Sequence, residues 1–345
     1  MEAESFYRGE IPLVNKGRLL LQIKDEMIAR QLKARLVVVG VELVLDGIWL
    51  QIKYSSWVQL QRCIGLVQMI LTDKQMEVYE GSLLGEVKSD DYRKVTLPLS
   101  QLSLIIENPS FVKIIQEKLF QSYMQPIISS KERIITGYEF LLRPNSKVYP
   151  FVPTDLFMFA QHAGLQNMLD SQSRINAIRT GAQMLSEGMK YFINFLPSSI
   201  NDPIQCLKST FKAVEDYRVN PSDLVFEVVE TEKIFDINHL RNIFQFYRQE
   251  GVKVALDDVG AGYSTYEILK QLVPDYVKID PTLIHKCHLS ERKMNDIKYL
   301  RNISQQLGII LLAEGVESAE EFAAVEPFVD LVQGFYFGKP IRNPA

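Results

Sequence analysis

Val254-Ala255-Leu256 is a short apolar run that stops at two adjacent carboxylates, Asp257 and Asp258, before a loop holding Gly260 and Gly262. Further on, Lys278 stands in the middle of Tyr276-Val277-Lys278-Ile279-Asp280, a run that otherwise reads as a buried strand. An unpaired ammonium there is costly, so an anionic neighbour is required. Two carboxylates and one amine at the ends of successive strands are the groups that metal-dependent phosphoryl or proton chemistry uses. A dinucleotide-binding loop does not fit. The third small position is Thr265, and the carboxylates abutting the loop would repel a pyrophosphate without metal between them.

The elements that must position these groups alternate. Strand-like runs fall at residues 123–128, 134–142, 191–196, 224–229, 252–256, 276–279, 309–313 and 331–335. Helical periodicity separates most of them, at 154–163, 172–184, 237–249, 296–307 and 319–325, with Ser318 and Glu321 as a capping box for the last. Such alternation predicts an α/β fold, either a (β/α)8 TIM-type barrel or an open doubly wound sheet. The polar residues decide. At or near the carboxyl end of almost every strand stands a chemically capable side chain: Glu139, Asn194, Glu227 with Glu230, Asp257 with Asp258, Lys278, Glu314 with Glu317, and Gln333. An open sheet would string them along an edge, whereas a barrel gathers them at one mouth, where barrel enzymes do their chemistry.

Carboxylates in that number cannot share a pocket unneutralised, because like charges a few ångströms apart force one another to protonate. Divalent cations resolve the repulsion. Carboxylates with the amide of Asn194 are all-oxygen ligands, which suit Mg2+ or Mn2+ and not zinc. Lys278 can orient or deprotonate a water. Two readings stay open on these residues: in-line hydrolysis of a phosphate ester with two metals, or proton abstraction beside a carboxylate by a lysine base with Mg2+.

The stretches YMQPI, YEFLLRP, INFLP, FEVVE, ALDDVGAGYS, YVKID, LLAEGVES and QGFYFGKP, in this order, resemble the EAL-domain family from Phe111 to Pro340. That family consists of phosphodiesterases that open cyclic di-GMP to linear pGpG. The resemblance implies that Glu139, Asn194, Glu227 and Asp257 hold a first metal, with Asp257 bridging to a second that Asp258 also holds. It implies that Lys278 holds and deprotonates the attacking water, and that Glu314 and Gln333 complete the shell. Glu230 would fix the loop after Asp258, Arg143 would contact a substrate phosphate, and Gln125 and Leu141 would line the nucleotide cleft. Glu317 is expected to be structural. Three positions depart from the family pattern: Phe140 stands where the signature has alanine, and Val259 and Ala261 stand where Phe and Thr are usual. Glu139 and Leu141 point away from Phe140 in a strand, so Phe140 is expected to pack behind the site. The altered loop raises a second expectation, a cyclic di-GMP receptor of weak or no activity. The family also implies a homodimer.

Residues 1–107 have a different texture and are expected to form a small α+β domain, regulatory or dimerising, ahead of a barrel over 108–345. Strands are expected there at 18–23, 36–45, 48–54 and 95–97, with a helix over 58–71. Asn108-Pro109 marks the junction. A net charge of −4 with no basic tail gives no reason to expect a DNA or RNA polymer as partner. The start MEAESFYRGE lacks the features of a secretory signal, and no apolar tract is long enough for a membrane span, so a cytoplasmic location is expected. Three scattered cysteines, Cys63, Cys206 and Cys287, suit free thiols. His285-Lys286-Cys287-His288 is too cramped for zinc and is expected to be a surface loop.

Overall fold

The computed structural model describes residues 10–88, 91–200, 202–229, 237–260 and 263–343. Contacts divide the chain into two compact units. One comprises Met1–Phe120 and Pro144–Leu169, the other Gln121–Arg143 and Asp170–Ala345.

The first unit is built on a five-stranded antiparallel sheet of β1 (Gly17–Gln22), β2 (Glu42–Asp46), β3 (Trp49–Tyr54), β4 (Glu80–Lys88) and β5 (Asp91–Pro98), in the order β2-β3-β1-β4-β5. One face carries Leu19, Leu21, Leu50, Ile52 and Leu83, which pack with Leu32, Leu60, Ile64 and Leu102 from the helices. The helix Trp57–Ile70 is close to expectation, but the strand expected over 36–45 is not. Its first part is the end of a helix, Glu26–Leu36, capped by Asp25, whose carboxylate accepts from Met27 N and Ile28 N. A short 3-10 turn follows, Gly40 closes it at φ 71°, and pairing begins only at Glu42. The valines of 37–39 have strand propensity, yet the cap before them and the left-handed glycine after them set the local geometry. Strand β4 and the helix Leu99–Glu107 lie outside the expected elements.

The second unit is a closed barrel in the order β6 (Phe120–Ser129), β7 (Ile135–Pro144), β8 (Lys190–Asn194), β9 (Leu224–Val229), β10 (Lys253–Val259), β11 (Tyr276–Ile279), β12 (Ile310–Ala313) and β13 (Leu331–Val332), which returns to β6. The (β/α)8 expectation holds with one local difference. β6 runs antiparallel to β13, and a tight turn closed by Ser129 N to Ile134 O joins it to β7, where a crossover helix would otherwise stand. The pairings from β7 to β13 are parallel.

Strand alternation then sorts the side chains. Tyr191, Phe226, Leu256, Val277 and Leu311 face outward into the layer shared with the helices. Ile127, Phe192, Val225, Ala255, Tyr276 and Leu312 fill the barrel interior, where Phe192 meets Tyr276 edge to face at 5.2 Å. Among the described residues no helix is long and apolar enough to cross a membrane.

The capping box at Ser318 and Glu321 is present, and Glu321 does more than cap. Its buried carboxylate accepts from Glu317 N at 2.8 Å, Ser318 N at 3.2 Å and Lys286 N at 2.7 Å, tying the loop after β11 to the loop after β12. Although burial works against its charge, the three backbone donors hold its carboxyl below the usual range. Glu321→Ala is expected to lower the unfolding free energy by about 2–4 kcal/mol, the sum of a lost cap and stranded backbone donors. Urea titration checks this, and an unchanged midpoint would show that the carboxylate is dispensable.

Candidate active site

The interior apolar layer is the floor of the site. On each of five strands the residue two positions further along is polar, so period-two alternation lifts it to the same face one layer higher. Phe192 is followed by Asn194, Val225 by Glu227, Ala255 by Asp257, Tyr276 by Lys278 and Leu312 by Glu314. Glu139 on β7 and Gln333 just past β13 complete the ring.

The structure brings these together around Lys278, whose side chain is closed to solvent. Its Nζ lies 2.7 Å from Glu314 Oε1, 2.9 Å from Glu227 Oε2, 3.0 Å from Asp257 Oδ2 and 3.7 Å from Glu139 Oε1. Asn194 Nδ2 donates to Glu227 Oε1 at 3.1 Å and to Glu139 Oε1 at 3.3 Å. A half-turn of that amide would present Oδ1 instead, the atom a cation requires. Gln333 Nε2 donates to Glu139 Oε2 at 2.6 Å. Asp258 lies within a register shift of the β10–β11 pairing, between Leu256 and Val259, and takes φ 55°, an uncommon conformation for a residue with a side chain. Its backbone N–H donates to Asp257 Oδ1 at 2.8 Å.

The charge balance is lopsided. Burial pushes the Glu227 and Glu314 carboxyls well above the ordinary carboxylate range, against the pull of Lys278. Asp258 is pushed up to about 6, first by burial and then by the charges of Asp257 and Asp280. For Lys278 burial works against the charge, but Asp257, Glu139, Glu227 and Glu314 outweigh it and raise the ammonium well above the usual lysine range. The four carboxylates thus hold the Lys278 ammonium in its charged form.

The donor set fits divalent cations. Glu139, Glu227 and Asp257 offer oxygens within 4.8 Å of one another, as do Asp257, Asp258 and Glu314, so Asp257 belongs to both groups. Gln333 Oε1 is buried with no hydrogen-bond partner among the described residues, and Glu227 Oε2 meets Lys278 as an ion pair without hydrogen-bond geometry. The pocket thus holds acceptor capacity that the protein leaves unused. All-oxygen donors of this kind suit Mg2+, Mn2+ or Ca2+.

Other expected site residues lie differently. Gln125 is buried and donates to the carbonyl of Gly338 at 3.2 Å, while half-buried Arg143 donates to the carbonyl of Leu142 at 2.7 Å. Leu141 is half-buried. Glu230 and Ala261 lie outside the described residues. Phe140 packs on Tyr191, ring centroids 5.4 Å apart, in the outward layer behind the site. Val259 is fully buried in that same layer. Glu317 engages Glu321 through its backbone N–H. In the His285–His288 run, Cys287 is buried and His285 Nδ1 lies 3.6 Å from Glu321. Asp170 and Arg174, outside the expected site residues, are buried in the helix Gln166–Met184. The signal was there: opposite charges at i,i+4 on a helix face that also carries Ala177 and Ile178.

The sequence model of the EAL domain matches residues 110–340, and the chain belongs to the EAL-domain family. Among curated proteins it is 29% identical over 230 residues to the probable cyclic di-GMP phosphodiesterase PdeG of Escherichia coli K12, a match covering 64% of this chain and 44% of PdeG. The chain therefore spans less than half the length of that relative. Among solved structures it is similar to a standalone versatile EAL protein from Vibrio cholerae O395 in its c-di-GMP bound form, with 32% identity, TM-score 0.59, and coverage of 66% of this chain and 94% of that one. BlrP1 of Klebsiella pneumoniae, solved as a manganese/cy-diGMP complex, shares the fold over 95% of this chain and 97% of its own at 19% identity and TM-score 0.59.

Lys278→Met should destabilise metal-free protein by roughly 3–5 kcal/mol, because it leaves buried carboxylates uncompensated. Mn2+ should restore most of the loss. Thermal unfolding of parent and variant with and without Mn2+ checks both parts, and a variant as stable as the parent without metal would contradict the charge balance described here.

Proposed function

We propose that the barrel is a Mg2+- or Mn2+-dependent phosphodiesterase that opens cyclic di-GMP to linear pGpG and so lowers the level of that messenger. The observation that carries the proposal is one buried ammonium, Lys278, ringed by Glu139, Glu227, Asp257 and Glu314, with Asn194 bridging two of the acids. In this reading Glu139, Asn194, Glu227 and Asp257 would hold one cation, and Asp257 with Asp258 would hold a second. Bound there, the cations would supply a lowered water pKa and charge neutralisation on the phosphate.

The chain's own groups do the rest. Lys278 Nζ, relieved of its carboxylates, takes the proton of the attacking water. Glu314 and Gln333 orient that water, Gln333 through the buried acceptor that has no partner among the described residues. Arg143 binds a phosphate through its forked guanidinium, and Gln125 and Leu141 line the nucleotide cleft. For Gln125 and Arg143 this requires exchanging a backbone carbonyl for the ligand, an exchange of one hydrogen bond for another. Glu230 fixes the loop that carries Asp258. The proposal includes a homodimer and a regulatory or dimerising role for residues 1–107.

A second reading, a receptor that binds cyclic di-GMP with little turnover, is favoured by Val259. It is fully buried beside Asp258, at the last position of β10, where the family usually has Phe. The two readings part in one experiment on the full chain. Turnover of cyclic di-GMP with Mg2+ or Mn2+ should be abolished in Glu139→Ala and cut roughly a hundredfold or more in Lys278→Ala, with nucleotide binding by Lys278→Ala nearly intact. Tight binding by the parent with negligible turnover in either metal would favour the receptor, and variants indistinguishable from an active parent would overturn the role assignments.

A further inference from the structure

The barrel unit buries an ion pair that the proposed chemistry does not use. Asp170 and Arg174 are 2% and 1% exposed and are joined through Arg174 Nη1 and Asp170 Oδ2. Desolvating such a pair costs several kcal/mol, and well-packed apolar side chains commonly serve stability as well or better. Its other bonds show what the pair holds. Asp170 Oδ1 accepts from Leu196 N at 3.2 Å, and Asp170 Oδ2 accepts from Ser199 Oγ at 2.6 Å. Arg174 Nε donates to Thr210 Oγ1 at 3.3 Å in the helix Lys208–Asp216, which anchors the pair from behind.

Leu196 and Ser199 belong to the loop that leaves β8 directly after Asn194. That loop is fastened on its other side by Phe195 N, which donates to the carbonyl of Glu227 at 3.0 Å. Asn194 is therefore the last strand residue before a segment clamped by the neighbouring strand and by a buried carboxylate. We infer that Asp170, held by Arg174, is a positioning residue: it fixes the segment 195–199 and thereby aims the Asn194 carboxamide at Glu139 and Glu227. The inference rests on the proposed cation site and adds to it a support from outside that site. Groups hydrogen-bonded directly to a metal ligand are worth about ten- to a hundredfold in metal affinity, and Asp170, acting through the backbone, is expected at the lower end of that range.

The test is calorimetric titration of metal-free full-length protein with Mn2+, on the parent, Asp170→Asn and Ser199→Ala, with thermal unfolding run in parallel. Asp170→Asn keeps the shape but loses the charge, and Ser199→Ala leaves the ion pair intact. The expected result is Mn2+ binding weakened about tenfold or more in Asp170→Asn and weakened to a smaller extent in Ser199→Ala. Turnover by Asp170→Asn should return towards the parent level as Mn2+ is raised, at a temperature where thermal unfolding shows the metal-free variant to be fully folded, so that rescue of folding alone is not what is read. Folded Asp170→Asn with parental Mn2+ affinity would overturn the inference while leaving the cation site standing. If Asp170→Asn does not fold, parental affinity in Ser199→Ala overturns it equally. A parent that binds no Mn2+ would remove the cation site and this inference together.

Discussion

Lys278 Nζ has carboxylate oxygens from three strands and from Glu314, just past a fourth, within 3.7 Å, and its side chain has no access to solvent. Four acids around one ammonium form four attractive pairs but six repulsive ones. At an effective dielectric near 20, a pair about 4 Å apart is worth roughly 4 kcal/mol, so the six repulsions largely cancel the four closer attractions and leave the cost of burying the charges unopposed. Either protons or further cations must enter. The raised carboxyls of Glu227 and Glu314 express the first outcome, and the oxygen groups that share Asp257 are shaped for the second.

The barrel makes this arrangement affordable. Parallel strands bring each polar residue up from a packed apolar floor, so the acids need no long flexible side chains to meet. Asn194, Glu227, Asp257, Lys278 and Glu314 each stand two residues beyond an interior floor residue, and the floor itself is closed by Phe192 against Tyr276. Outside the strands, fixed hydrogen bonds hold the loops that follow them. Glu321 ties the loops after β11 and β12, and Asp170 fastens the loop after β8. Rigidity at the mouth thus comes from buried carboxylates that accept backbone N–H groups.

How much of this is legible in the sequence depends on where a residue sits. Strands of the barrel are visible as short apolar runs ending in acids, because both faces of each strand are buried and the polar residue interrupts the run at its open end. Lys278 stands out because an ammonium in such a run demands a partner. The first unit is harder to read. Residues 36–45 look like a strand by composition, whereas Asp25 and Gly40, single residues with specific backbone roles, define a helix and turn first. Likewise the antiparallel β6 follows from a tight turn at Ser129–Ile134, and strand composition carries no direction. Asp170 and Arg174 lie in a helix remote in sequence from every acid of the site, so only their i,i+4 spacing hints at them. The contacts of Gln125 and Arg143 with backbone carbonyls depend on side-chain rotamers, on which residue type is silent.

The central claim is that acids from separate strands share divalent cations at one opening. Diffraction at the manganese absorption edge from crystals grown with Mn2+ addresses it directly. The account predicts anomalous density at two positions, one touching Glu139, Asn194, Glu227 and Asp257 and the other touching Asp257 and Asp258. Density confined to other surfaces, with Lys278 still enclosed by its four carboxylates, would contradict it.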